Sequence, residues 1–220
     1  MKQTALTDTP TRELILKSAR KQFLERGFQG ASIRRIASDA GVTYGALYGY
    51  FASKEELFYA ITDPLMDRIM KKLDEIEGAM LALPAEERLL GMSDVFYVRL
   101  PELVALIFED REIVNMVIGG AKGTKYESFM SELVKRDAHA ISAAAENSET
   151  PGVHLFDAQT LEIMMEGYMA ALFHLIESGR DQQEVSRSME IFGRIYEAGM
   201  LALMKDSNNE NRSGGIYHEQ

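Results

Sequence analysis

The amino-acid sequence predicts an all-α protein in which a small basic unit precedes a larger helical body. Apolar residues recur every three or four positions through most of the 220-residue chain, which is the period of a helix face, and no stretch shows the alternation of a half-buried strand. With 46% hydrophobic and 26% charged residues, the chain has the composition of a protein with a buried core. We expect a frayed N-terminus (1–10), a helix-turn-helix domain (11–62), a helical body (63–205) and a disordered tail (206–220).

The charge of the chain is unevenly distributed. The net charge of the chain is −10. The segment from Thr11 to Lys54, however, contains eight Lys and Arg residues and only three acidic residues, so it carries +5 and the remainder of the chain −15. Such asymmetry indicates a basic module for a polyanion joined to an acidic body with another role. A solvated charged face is the alternative that charge alone leaves open.

Several classes of protein are disfavoured by composition. The chain contains no cysteine, so it has neither a disulfide framework nor a thiolate zinc site. Its N-terminus lacks the apolar run of a signal peptide, and no later window reaches the roughly 18 apolar residues of a membrane helix. We therefore expect a cytoplasmic protein without a cofactor.

Two short helices with a tight turn between them are predicted near the N-terminus. A preceding helix carries Ile15, Ala19 and Phe23 on one face and should end at Gly27. The next helix begins after Ser32, and Gly41 closes it. Its apolar stripe is formed by Ile33, Ile36, Ala37 and Ala40. With Thr43 capping a further short helix, the pattern is that of a helix-turn-helix.

The segment TYGALYGYF (residues 43–51) is the candidate recognition helix. Leu47 and Phe51 are four residues apart and can both point to the core, whereas Gly45 and Gly49 leave a bare stripe on another face. A DNA backbone or base edge can approach such a stripe closely. The flanking tyrosines can offer hydroxyls to phosphates and rings to thymine methyls. These tyrosines are Tyr44, Tyr48 and Tyr50, and half-buried packing is the alternative for each.

Cations at two helix starts support the same interpretation. Arg34 and Arg35 lie in the first turn of their helix, where the dipole disfavours positive charge. A phosphate bound there would meet both guanidiniums and the Ser32 hydroxyl. Lys54 starts the fourth helix, in a capping-box sequence with Ser53 and Glu56, and can contact a second phosphate.

The run SIRRIASDAGVTYGALYGYFASKEELF resembles the DNA-binding signature of the tetracycline-repressor (TetR) family of bacterial transcription regulators. The matching positions are Ser32, Ile36-Ala37, Ala40-Gly41-Val42, Thr43, Gly45, Leu47-Tyr48, Tyr50-Phe51 and Lys54-Glu55-Glu56-Leu57. The resemblance covers about residues 10 to 62 and is far more specific than a generic helix-turn-helix pattern. One departure is Gly49, at a position where family members often carry a larger side chain.

The resemblance implies DNA contacts and a regulatory role. It implies that Thr43, Tyr44, Tyr48, Tyr50 and Lys54 include phosphate contacts and that Tyr44 and Gly45 reach bases. It also implies a repressor that binds an inverted-repeat operator as a homodimer. A small-molecule effector in the helical body would change its operator affinity.

Two apolar helices near the end of the chain are candidates for the dimer interface. The segments 156–177 and 185–204 are apolar on more than one side, so they can pair with the same helices of a second subunit. The candidate interface residues are Met165, Met169, Phe173, Met189, Phe192, Tyr196 and Met200. The alternative is an ordinary core within one subunit.

The effector site is less defined by the sequence. The thirteen methionines would suit a pliable apolar pocket, although they also suit ordinary packing. Candidate pocket residues are aromatic or polar-tipped side chains amid apolar helices: Phe96, Tyr97, Phe108, Tyr126, Tyr168 and His174. The identity and charge of the effector stay open.

Enzymatic activity is not predicted. The stretch IGGAKGTK does not fit the spacing of a phosphate-binding loop, and the chain contains no HExxH metal motif and no GxSxG nucleophile motif. We expect no catalytic residue and no metal ligand. The alternative to a DNA-binding regulator is a helical sensor or interaction protein whose helix-turn-helix contacts protein or has lost DNA binding.

Overall fold

The computed structural model describes residues 9–83, 98–145 and 155–214. These residues form helices joined by turns, with no strand among them, so the predicted fold class is confirmed. In chain order the helices are α1 (Thr9–Gly30), α2 (Ile33–Asp39), α3 (Tyr44–Tyr50), α4 (Lys54–Leu81), α5 (Leu100–Glu109), α6 (Arg111–Gly120), α7 (Phe129–Ala145), α8 (Ala158–Glu177) and α9 (Gln182–Gly214).

The chain divides into two compact units. Among the described residues, those up to Ile69 together with Glu109–Phe129 form the first unit. Residues Met70–Phe108 and those from Met130 onward form the second unit. The first unit therefore contains α1 to α3 and also α6, which is distant from them in sequence.

The core of the first unit is built from aromatic rings and aliphatic residues, and the predicted Phe23, Ile36 and Leu47 are among them. The ring centroids of Phe23 and Phe28 lie 5.0 and 5.3 Å from that of Phe58, and both contacts are edge-to-face. Ile36 and Leu47 are fully buried. Because isolated seven-residue helices are unstable in water, this burial is what holds α2 and α3 in place.

The ends of the short helices match the sequence prediction. Ser32 Oγ accepts a hydrogen bond from the backbone N–H of Arg35, and Thr43 Oγ1 accepts one from Ala46. Gly41, in the turn between α2 and α3, has φ of 72°. Ser53 caps α4 by accepting from the Glu56 N–H, and the Glu56 carboxylate accepts from the N–H of Ala52. Pro64 lies inside α4 without ending it.

A break in α1 allows two backbones to meet. Gly27 has φ of 65° and ψ of 175°, so the helix breaks at the predicted residue with a positive φ, but ψ is not that of a left-handed cap and helical residues continue to Gly30. A Cβ placed on Gly27 would lie 3.3 Å from the carbonyl oxygen of Gly120, at the end of α6. Glycine is therefore required here both for its backbone conformation and for the close approach of α6.

Polar contacts also fasten residues 109–129 to the first unit. The Arg20 guanidinium donates hydrogen bonds to both carboxylate oxygens of Asp110 and one to Glu112, and these hydrogen bonds raise the pKa of Arg20. Tyr126 Oη donates to Asp63 at 2.7 Å, and burial together with this contact raises the pKa of Tyr126. Asp110 also caps α6 by accepting from the Ile113 N–H.

The second unit has its own apolar core. Met80 of α4, Ala138 and Ile141 of α7, Leu161 of α8 and Met200 of α9 belong to one buried cluster. Phe156 and Met204 complete it, and Met164 and Met165 pack against its edge. The helices of this unit thus present both aliphatic and methionine side chains to one interior.

The two ends of the chain differ from the expected boundaries. The first helix begins at Thr9, inside the segment expected to fray. The last helix, α9, continues to Gly214 and so extends into the segment expected to be a disordered tail (206–220). Extending an existing helix forms a hydrogen bond per residue without a new nucleation cost, which polar composition alone does not reveal. Residues 1–8 and 215–220 lie outside the described residues.

Candidate nucleic-acid interface and ligand cavity

The exposed side of α3 carries the predicted recognition residues. Leu47 is fully buried, which orients the helix, and Tyr44 and Tyr48 are 49% and 39% exposed. Gly45 is exposed, and a Cβ placed there would have no neighbour within 4 Å. Thr43 and Gly49 are exposed as well, whereas Tyr50 is half-buried. The arrangement leaves one tyrosine-flanked, uncrowded strip of backbone facing solvent.

The two tyrosines of this strip contact each other. Their rings meet edge-to-face with centroids 5.0 Å apart, and Tyr44 Oη donates a hydrogen bond to Tyr48 Oη at 3.4 Å. The hydrogen bond between the two hydroxyls raises the pKa of Tyr48. The Arg34 guanidinium lies 5.9 Å from the Tyr44 ring centroid, so α2 and α3 present one continuous surface.

The remaining predicted cations have protein partners. Arg35 is paired with Asp39 one turn along α2, at 3.0 Å. The Lys54 ammonium donates to the carbonyl oxygen of Gln29 at 3.0 Å and lies 4.9 Å from the Phe28 ring centroid. Partial burial lowers the pKa of Lys54. These contacts place both side chains while leaving donors for a further acceptor.

A cavity of about 120 Å³ lies in the second unit. Leucine, isoleucine and methionine side chains of α4, α5, α7 and α8 line most of it, together with Met200 of α9. Tyr168 and Tyr196 line it as well, and so do the acidic residues Glu77 and Asp137. Tyr168 Oη donates to the backbone oxygen of Met189 at 3.2 Å, which ties α8 to α9 beside the cavity.

Comparison with known proteins agrees with the helix-turn-helix geometry. Residues 15–61, from α1 into α4, match the sequence model of the family described as "Bacterial regulatory proteins, tetR family". The chain is 29% identical to the transcriptional repressor AcnR of Corynebacterium efficiens over 168 residues, which cover 74% of this chain and 81% of that protein. Residues 15–61 therefore form a DNA-binding region of the TetR-family type. The chain is a DNA-binding transcriptional regulator.

Further comparisons match either the N-terminal region of the sequence or the fold of the chain. The regulator UidR of Escherichia coli K12 is 41% identical over 70 residues, which cover 31% of this chain and 36% of that protein. A TetR-like regulator from Rhodococcus sp. RHA1 superposes with a TM-score of 0.54 at 18% identity, covering 86% of this chain and 96% of that chain. NalD, a repressor of the MexAB-OprM multidrug efflux pump of Pseudomonas aeruginosa, gives 0.54 at 18% identity, covering 84% and 98%.

The structure does not bring the six predicted pocket residues together. Of these six, Tyr168 lines the cavity. Tyr126 lies in the first unit, bonded to Asp63, and His174 is exposed in the last turn of α8. Phe108 is half-buried on α5 and does not line the cavity. Phe96 and Tyr97 lie outside the described residues.

Two of the predicted dimer residues need correction. Met189 and Met200 are 0% and 4% exposed within the single chain, so both are core residues of the second unit. Met165, Met169 and Tyr196 line the cavity, and Phe192 stacks on Tyr168 with centroids 5.7 Å apart. Phe173 is half-buried. Apolar periodicity identifies buried faces but does not tell intrachain burial from burial between subunits.

The cavity contains two acidic residues that sequence reasoning missed. Glu77 and Asp137 sit at helix positions otherwise occupied by apolar residues. In the sequence, each acid interrupts a row of apolar residues that recur at helical spacing. This interruption is recognisable as a shared feature only once the fold shows that α4 and α7 line the same cavity.

The part of the chain that the structure describes contains neither a membrane-spanning helix nor a metal-binding cluster. None of its helices combines the length and apolar character that crossing a bilayer requires. The same residues contain no group of three or more His, Asp or Glu side chains arranged to hold a metal ion.

Proposed function

We propose that this TetR-family regulator is a dimeric repressor that binds an inverted-repeat operator and responds to a small-molecule effector in its second unit. The surface of α3 carries this proposal, because a buried Leu47 presents Tyr44, Gly45 and Tyr48 together to solvent. An uncrowded helix of this kind fits the major groove. The repressor AcnR, similar over most of the chain, supports repression as the regulatory outcome.

Contacts to bases and to phosphates are assigned to different side chains. Tyr44 and Gly45, at the start of α3, are proposed to reach base edges, since N-terminal residues of a recognition helix point into the groove. Thr43, Tyr48 and Tyr50 are proposed to contact phosphates, as are Arg34, Arg35 and Lys54. Ser32 and Gly49 border the surface. The Arg34 guanidinium beside the Tyr44 ring would join a phosphate contact to a base contact.

The proposed dimer contact uses the exposed faces of α8 and α9. Ile163 on α8 is 63% exposed, and Ile191, Ile195 and Leu203 on α9 are exposed to a similar degree. Small residues adjoin them at helical spacing: Gly167, Ala170, Ala198, Gly199 and Ala202. Such exposed apolar stripes on neighbouring helices suit a two-fold four-helix contact.

Selection of fragments from random duplex DNA by the purified protein, at two salt concentrations, tests the proposal. A dimer reading successive major grooves should enrich an inverted repeat whose half-sites lie roughly 34–36 Å apart, with affinity that falls steeply with salt. If neither salt concentration yields enrichment and binding shows no salt dependence, the helix-turn-helix serves protein contact or has lost DNA binding.

A charge-matched pair of variants then tests the surface. Arg34→Ala should reduce the salt dependence of DNA binding by about one phosphate contact. Lys71→Ala removes the same charge from an exposed position of α4 in the second unit and should leave that dependence unchanged. Equal effects of the two substitutions would show that general charge, rather than the α2–α3 surface, drives binding.

A further inference from the structure

The recognition helix lacks the side chains that identify three of the four bases by paired hydrogen bonds. In the major groove, Arg or Lys identifies guanine, Asn or Gln identifies adenine, and Asp or Glu accepts from cytosine. Residues 40–53, which include all of α3, contain none of these six residue types. Base recognition by α3 must therefore use hydroxyl groups or apolar contacts.

The hydroxyl groups of this segment discriminate weakly among bases. A hydroxyl both donates and accepts, so it can pair with more than one kind of base edge. Thr43 Oγ1 already accepts a hydrogen bond from the Ala46 N–H at 3.1 Å. The hydroxyls of Tyr44 and Tyr48 are bonded to each other at 3.4 Å. Hydrogen bonds from α3 therefore add affinity for DNA more than they identify a base.

The exposed side chains of α3 present aromatic rings and a methyl group. Tyr44 and Tyr48 are 49% and 39% exposed, and Ala46 is exposed as well. At 3.6 residues per turn, the two tyrosines lie on one side of Gly45 and Ala46 lies on the other. A base in front of Gly45 would therefore meet an aromatic ring on one side and a methyl group on the other.

The Tyr44 ring has neighbours on two helices that hold it in place. The Tyr48 ring meets it edge-to-face, with the centroids 5.0 Å apart and the planes at 65°. The Arg34 guanidinium of α2 lies 5.9 Å from its centroid. A side chain that is already held loses less conformational entropy on binding than a free one. The Tyr44 ring is thus a pre-positioned apolar surface.

We propose that α3 recognises its base pairs through the C5 methyl group of thymine, with the Tyr44 ring and the Ala46 methyl group as the contacting groups. Thymine is the one base that displays a methyl group in the major groove, so apolar contact there distinguishes T·A from the other three pairs. This inference rests on the proposed contact of α3 with base edges. Each operator half-site should accordingly contain at least one invariant T·A pair.

Replacing thymine with deoxyuridine in the selected operator tests the proposal. Deoxyuridine keeps every hydrogen-bonding group of thymine but lacks the methyl group. At the invariant pair, this replacement in one half-site should weaken binding about fourfold, as expected for one buried methyl group. In both half-sites it should weaken binding about fifteenfold. Unchanged affinity at every thymine of the half-site overturns the proposal, and this arm requires no variant.

The base 5-methylcytosine tests whether the methyl group is itself recognised. Replacing the invariant T·A pair with C·G should weaken binding, and 5-methylcytosine at the same position should recover about fourfold, because it returns the methyl group to the major groove. A hydrogen bond to adenine would give no loss with deoxyuridine and no recovery with 5-methylcytosine, and that pattern overturns the proposal. Fluorescence anisotropy at one fixed salt concentration measures all four duplexes.

Substitutions in the protein locate the contact. Tyr44→Phe keeps the ring and should keep the fourfold preference for thymine over deoxyuridine, whereas Tyr44→Ala should lose most of it. Arg35→Ala removes an exposed cation that is proposed to contact phosphate, so it should weaken binding to both DNAs by the same factor. Full preference for thymine in Tyr44→Ala overturns the ring contact.

The methyl recognition and the operator binding fail separately. An enriched inverted repeat without an invariant thymine, or with thymines that tolerate deoxyuridine, refutes methyl recognition and leaves operator binding in place. If no sequence is enriched, operator binding is refuted and methyl recognition with it.

Discussion

At the scale of single residues, the two functional regions combine aromatic and charged groups in different ways. On α3, Tyr44 and Tyr48 contact each other and face solvent, so their hydroxyls and rings are available to DNA. Beside the cavity, Glu77 and Asp137 are largely removed from solvent, and the guanidinium of Arg136 contacts both carboxylates. The tyrosine pair is therefore suited to surface contact, whereas the acidic pair already has a partner within the protein.

Substitutions of Tyr44 separate its hydroxyl from its ring. Tyr44→Phe should weaken operator binding by about 1 kcal/mol through the lost hydrogen bond. Tyr44→Ala should cost about 1–3 kcal/mol and relax sequence preference at one base pair. Binding of each variant to the selected operator and to random DNA checks this. Equal losses on both DNAs would rule out base recognition by Tyr44.

The raised pKa of Asp137 predicts a pH-dependent difference in stability. Its folded-state pKa of about 6 lies above the unfolded value of about 3.9, so ionisation of Asp137 destabilises the fold above pH 6. Asp137→Asn should therefore raise the free energy of unfolding by up to about 3 kcal/mol at pH 7.5, offset in part by the weakened Arg136 contact. This gain should shrink between pH 6 and pH 4.

Urea unfolding of both proteins across that pH range measures the difference. The groups around the Asp137 carboxyl are Glu77, Arg136 and, beyond them, Asp74. Asp74→Asn changes the charge of the same cluster at an exposed position and serves as the control. A difference between Asp137→Asn and the wild type that does not vary with pH would contradict the raised pKa.

At the scale of helices, the placement of α6 depends on features distant in sequence. Gly27 and Gly120 permit contact between the backbones of α1 and α6. Arg20 then pairs with Asp110 and Glu112 at the start of α6. A helix that follows the DNA-binding segment by about fifty residues in the sequence is thereby packed on α1.

Three glycine substitutions measure how much the close contact between Gly27 and Gly120 contributes to the free energy of unfolding. Gly27→Ala should lower the free energy of unfolding by about 1–3 kcal/mol, because it combines a strained positive φ with a contact on the Gly120 carbonyl. Gly41→Ala also has positive φ but no neighbour within 4 Å, so it should cost less. Gly78→Ala, in an open helical position, should stabilise by roughly 0.5–1 kcal/mol. Equal losses for the first two would argue against a role for the approach.

At the scale of the whole molecule, charge and exposed apolar surface have separate locations. The basic segment from Thr11 to Lys54 belongs to the first unit, while the rest of the chain carries the excess of acidic residues. That excess keeps the remainder of the protein from binding DNA without specificity. The exposed isoleucines of α8 and α9 belong to the second unit, whereas α3 belongs to the first.

A charged substitution on that face tests the dimer. Ile195→Glu should halve the mass in sedimentation analysis and reduce affinity for the inverted repeat towards that for a half-site, because a buried unpaired charge disrupts an apolar contact. Val98→Glu changes another exposed apolar residue, outside α8 and α9, and should leave the mass unchanged. A dimer that persists in Ile195→Glu would place the contact elsewhere.

The N-terminal unit was predictable in most of its parts because its signals are local. Helix caps at Ser32 and Thr43, the glycine turn at Gly41 and the inward side of Leu47 each depend on neighbours within four residues. The same locality explains why the candidate recognition surface could be proposed from sequence spacing. The partners of Lys54 and Arg20, distant along the chain, could not.

By itself, the sequence determined the all-α class, the helix-turn-helix and the candidate DNA-binding surface. Only the tertiary structure decided that α6 packs on α1, that Met189 is core rather than interface, and that Glu77 and Asp137 line one cavity. The physical reason is the range of the interactions. Capping and periodicity act within a helical turn, whereas burial and charge compensation depend on which distant segments the fold brings together.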